Sequence, residues 1–139
     1  MRAYILGGLI AAGVLMAAGT MRAHHSFAAE FDSNKPITVT GHVTKIEWSN
    51  PHVWFYVNVK DKTSGAVTNW GAEMGPPHGL QRRGWRRDTL KIGDEVTVAG
   101  SLAKNGTKRL NARSVMLTAT GGRPGEKLDA ASSEGGNNP

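Results

Sequence analysis

Apolar and polar positions alternate along this chain in short runs separated by turn residues, a period that belongs to strands rather than to helices. Ile37-Thr38-Val39-Thr40-Gly41-His42-Val43 keeps that alternation, and the phase then slips to Ile46 and Trp48. A bulged first strand produces such a slip, with Gly41 or the Thr44-Lys45 pair as the point where it coils. Asn50-Pro51 marks a turn. Beyond it Val53, Phe55, Val57 and Val59 face one way while Trp54, Tyr56, Asn58 and Lys60 face the other, which predicts a second strand with one core face.

A hairpin loop over Asp61 to Gly65 leads to a third strand in which Ala66, Thr68, Trp70, Ala72 and Met74 share a face. Pro76-Pro77 suits the first turn of a short helix through Arg83, which Gly84 ends. Val96, Val98 and Leu102 point inward on a fourth strand, and Asn105-Gly106 turns it into a fifth, from Lys108 to about Thr118. This order predicts an all-β domain with one short helix, a five-stranded OB-like Greek-key barrel over residues 37–120. An open β-sandwich is the alternative, although it would want about seven strands and no helix in the middle. From Gly121 to Pro139 glycine, serine and asparagine dominate, so residues 121–139 are expected to be disordered.

The amino terminus has a different character. After Arg2, Ile5 to Gly19 runs without a charge, rich in Ala, Leu and Gly, and Thr20-Met21-Arg22-Ala23 follows. At about 1.5 Å per residue such a helix covers only about 22 Å, short of a hydrocarbon core of ~30 Å, so a membrane-spanning anchor is not expected. Residues 1–23 read instead as a signal peptide cut after Ala23, with Ala18-Gly19-Thr20 as a competing site. Residues 24–36 then form an N-terminal arm on a periplasmic or secreted protein.

Composition narrows the chemistry. The 139 residues suffice for one domain, and zero cysteines exclude disulfides, thiolate metal sites and thiol nucleophiles. Removing Arg2 and Arg22 leaves 15 basic and 11 acidic residues. Outside the cytoplasm, that mild positive charge points to an anionic envelope component or protein rather than to nucleic acid. Asp94 and Glu95 are adjacent on a strand and point to opposite faces, and there is no G-x-S-x-G, H-E-x-x-H or phosphate loop, so no enzyme is expected.

His24 through Asp32 (HHSFAAEFD), Asn50 through Phe55 (NPHVWF), and Trp70 through Glu73-Met74 to Gly79-Leu80 and Arg83-Gly84-Trp85 carry a further signal, continued by Leu90, Gly93-Asp94 and Val96-Thr97-Val98. Through them the chain resembles a family of small exported bacterial proteins without an assigned activity. The resemblance implies export, cleavage before His24 and an OB-like fold.

Three constellations are candidates for a binding site. Cleavage after Ala23 would leave the α-amine and imidazole of His24 as a nitrogen chelate, which His25, His52 or His78 would complete; nitrogen ligands favour Cu(II) by the Irving–Williams order. Met74, Trp70 and His52 offer a second, thioether-based set for Cu(I), although Met74 and Trp70 also read as shared core packing. Arg82, Arg83, Arg86 and Arg87, with the outward Trp54 and Tyr56, form the third, a surface for an anionic partner. A solvated arginine face, and aromatic rings covered by Phe27 and Phe31 of the arm, are the plainer readings of the same residues.

Overall fold

The computed structural model describes residues 26–134. A single helical turn, α1 (Phe27–Glu30), leads directly into β1 (Phe31–Glu47). There follow β2 (Trp54–Lys60), β3 (Val67–Glu73), α2 (Pro77–Arg82), β4 (Glu95–Ala103), β5 (Arg109–Leu117) and β6 (Glu126–Asp129). The sheet order is β3-β2-β1-β4-β5-β6, and a parallel pairing of β3 with β5 joins the first five strands into a ring. The domain is therefore mostly β with short helices, as the alternation predicts, and its pairing scheme is that of a small Greek-key barrel. Among the described residues no helix is long and apolar enough to cross a membrane.

The expected first-strand bulge is present, as a register shift between Val43 and Lys45 in the β1–β2 pairing. Inside the ring, Phe55, Val57, Ala72, Val96, Val98, Leu110 and Val115 are fully buried. Trp85, Met74 and Leu80 extend this core. Because Phe55 and Val57 point inward, Trp54 and Tyr56 point out, as the period of two requires.

Two expectations are corrected. The arm expected over residues 24–36 enters the sheet early: Phe31 pairs with Ala103 and Asp32 with Leu102, and the pairing resumes at Pro36 after an irregularity. Phe31 is buried, which anchors the segment. Phe27 stacks on it at 5.8 Å, and the Asp32 carboxylate accepts the Asn34 amide to shape the intervening bulge.

The disordered tail expected after Gly121 is replaced in part by β6. β5 is flanked on one side by β4, while its other edge is divided: Arg109, Leu110 and Asn111 pair with β3, and Ser114 to Leu117 pair with β6. The tail thus covers an edge that the ring alone leaves open. Leu128, Ala130 and Ala131 are buried behind it. Few apolar residues are needed, because the strand draws on β5 for its backbone hydrogen bonds.

Candidate functional site

Strand register assembles the site. On the outer face, Lys45 pairs with Tyr56, Tyr56 with Gly71, and Gly71 with Arg109, which makes one row across β1, β2, β3 and β5. Glu47, Trp54, Glu73 and Asn111 make the next.

In the first row the glycine is a matter of space. A Cβ on Gly71 would lie 3.3 Å from Tyr56 Cε1 and 3.5 Å from both Trp54 Cζ3 and Arg109 Cγ, so the two rings and the arginine stem close over bare backbone. Trp54 and Tyr56 lie 6.5 Å apart with 23° between their planes. Cations flank them: the Arg109 guanidinium carbon lies 5.4 Å from the Trp54 ring centre, and Lys45 Nζ 5.3 Å from that of Tyr56. Among the described residues Arg109 enters no ion pair. Lys45 pairs with Glu47, which also accepts the Tyr56 hydroxyl at 3.2 Å.

Beside Trp54 opens a cleft of about 320 Å³ between α1 and the β4–β5 turn. Glu30, Lys104, Asn105, Thr107 and Arg109 bring polar groups to its walls. The turn is built to hold them. Asn105 Oδ1 accepts both the amide and the hydroxyl of Thr107, while Lys104 Nζ donates to the Ala28 carbonyl and ties α1 down.

The second row contains a buried carboxylate. Glu73 is 4% exposed, and its Oε1 lies 3.1 Å from His52 Nδ1 and accepts Asn111 Nδ2 at 3.1 Å. Asn111 is held in turn by the Ser132 hydroxyl at 2.6 Å and by Ser133 Oγ at 3.2 Å, so β6 and its continuation complete the network. The hydrogen bond to Glu73 raises the His52 pKa above its ordinary value; burial opposes it, and the charges of Glu73 and Glu30 add to it.

A raised folded-state pKa stabilises the fold where the unfolded histidine is already protonated, below about pH 6.5, and that contribution is lost as pH rises through the folded value. Thermal melts are therefore expected to show His52→Gln losing more stability, relative to the parent, at about pH 5.5 than at pH 8.5. Equal differences at both pH values would remove the charged pair from the account.

Other candidates lie elsewhere. His24 and His25 are outside the described residues. His78 is exposed on α2, and among the described residues no three His, Asp or Glu side chains converge as a metal site. Met74 and Trp70 are core side chains, 1% and 9% exposed, whereas His52 is engaged by Glu73.

In the arginine cluster, Arg82, Arg86 and Arg87 are exposed. Arg83 pairs with Asp129 at 3.2 Å and donates to the Gly79 carbonyl. Trp85 is buried, its indole N–H on the Asp129 carbonyl at 2.7 Å. The cation that lies on Trp54 is thus Arg109, which sequence reasoning missed along with Gly71, Glu73, Lys104 and Asn111. The only signal able to reveal them was the pairing of third with fifth strand implied by the barrel.

A family model described as a family of unknown function, DUF6152, matches residues 12–111, a stretch that contains both rows and ends before β6. None of the curated proteins matches the chain.

Proposed function

The chain belongs to DUF6152, a family of unknown function, and we propose that it is an exported binding module, not a catalyst, whose outer β2–β3–β5 face takes an anionic ligand. The observation that carries this reading is the Arg109 guanidinium on the Trp54 ring, with no carboxylate partner among the described residues and a cleft beside it. A guanidinium over a ring face makes no hydrogen bond to the ring carbons and keeps its N–H groups for an anion, which it can grip bidentately. The charged residues of the β4–β5 turn, rather than Arg82 to Arg87, supply the rest of the attraction.

Binding to polyphosphate and to polygalacturonate, two polyanions of unrelated backbone, tests this. At least one should bind, weaken with added salt, and be lost in Trp54→Ala and Arg109→Glu but retained when Arg86 and Arg87 are reversed in charge. Loss in the Arg86 and Arg87 variant with retention in Arg109→Glu would move the site to the arginine cluster.

One contact favours a second reading, a copper site at the processed terminus. His52 gives its Nδ1 to a buried carboxylate, the arrangement that orients a metal-binding imidazole through its other nitrogen. Copper titration of the secreted chain beginning at His24, against one with an extra Met before it and against His52→Gln, tests that reading; affinity unchanged in both variants would end it.

A further inference from the structure

We infer, resting on the anionic-ligand reading above, that the ligand taken by the Trp54 cleft is an acidic saccharide: one or two sugar rings bearing a carboxylate.

Size, wall chemistry and charge each remove a competitor. A volume of about 320 Å³ stands at the small end of ligand pockets, roughly 300 to 1,000 Å³. That admits a short segment of a polymer or a small molecule. An acyl chain needs an apolar sleeve, whereas this cleft sets Glu30, Lys104, Asn105, Thr107 and Arg109 among Trp54, Phe31 and two alanines.

A phosphodiester chain carries its charge on the backbone linkage itself, not on a ring substituent, and needs a groove of one sign. Here Glu30 lies in the cleft. A carboxylate there is out of place beside a run of phosphates, but it is an acceptor for hydroxyl groups. A saccharide matches the mixture: its hydroxyls donate to Glu30 and exchange hydrogen bonds with Asn105 and Thr107, and its apolar ring face lies against Trp54. Its carboxylate meets Arg109 and Lys104. A neutral sugar would bring no charge to Arg109, and an inorganic anion would bring no ring face to the indole.

Isothermal titration of the purified protein and its Arg109 variants with trigalacturonate, neutral galactotriose and tripolyphosphate tests the inference. Trigalacturonate is expected to bind at least about tenfold more tightly than either of the others. Arg109→Ala should cancel that preference, while Arg109→Lys, which keeps the charge and loses the fork, should retain part of it. Tripolyphosphate bound as tightly, and lost in Arg109→Ala, would overturn the saccharide and leave the anionic-ligand reading standing. Galactotriose bound as tightly would overturn both. Failure of all three to bind, or indifference of trigalacturonate to Arg109→Ala, would overturn the inference; the polyphosphate arm above then decides the broader reading.

Discussion

Alanine at Gly41 or at Gly100 is expected to destabilise the domain by more than about 3 kcal/mol, the upper part of the range for overpacking, because the obstacle is backbone and cannot turn aside. A Cβ on Gly41 would stand 2.2 Å from the Asn58 carbonyl oxygen, and one on Gly100 2.0 Å from that of Asn111. Both glycines lie at or close to a break in strand register. Gly41 precedes the register shift in β1, and Gly100 sits at the shift between β4 and β5. To admit a methyl group the strands must part there, which breaks ladder hydrogen bonds on either side. Gly79 in α2 is the control. Its Cβ would meet the Pro76 ring at 3.5 Å, ordinary contact, so Gly79→Ala should be neutral or gain a few tenths of a kcal/mol from helix propensity. Urea denaturation of the three variants compares them directly, and a shift under about 1 kcal/mol in both strand glycines would refute the close approach.

Ending the chain at Gly125 should be nearly as damaging, although composition marks the removed segment as dispensable. The truncation takes away buried Leu128, worth about 1.5–3 kcal/mol, and leaves the indole N–H of buried Trp85 without the Asp129 carbonyl, at about 1–3 kcal/mol. It also strips the Ser132 and Ser133 hydroxyls from Asn111 and opens the β5 edge from Ser114 to Leu117. A loss of about 3 kcal/mol or more corresponds to a fall in Tm of at least about 12 °C in a domain of this size. Calorimetry on the full and truncated chains measures it. An unchanged Tm would mean that β6 is an ornament.

These two results bear on what a sequence can reveal. The ring was legible because apolar and polar types alternate along much of its strands and its turns carry their own chemistry, as at Asn50-Pro51 and Asn105-Gly106. The bulge was legible because one inserted residue flips every later side chain, and Ile46 and Trp48 showed the flip. β6 was not legible. A strand of four residues, Glu-Lys-Leu-Asp, has one buried side chain, and its stability comes from an edge supplied by β5.

The site divides in the same way. Trp54 and Tyr56 could be placed on the outer face from period alone, and the register bears this out. Arg109, Asn111 and Glu73 join them only because β3 and β5 run parallel across the closure, and Glu73 and Asn111 are 38 positions apart. Nothing local signals that meeting. The arginine cluster drew attention by its density, yet Arg83 is committed to Asp129.

The closing pairing has one more implication. Three residue pairs, Gly71 with Arg109, Ala72 with Leu110 and Glu73 with Asn111, fasten the ring there. It is the shortest ladder in the cylinder and hence the seam along which it would gape first. The proposed ligand rests on Trp54 to one side of that seam and on Arg109 to the other. A guest so placed acts as a rivet, and occupancy and mechanical closure of the cylinder become a single equilibrium.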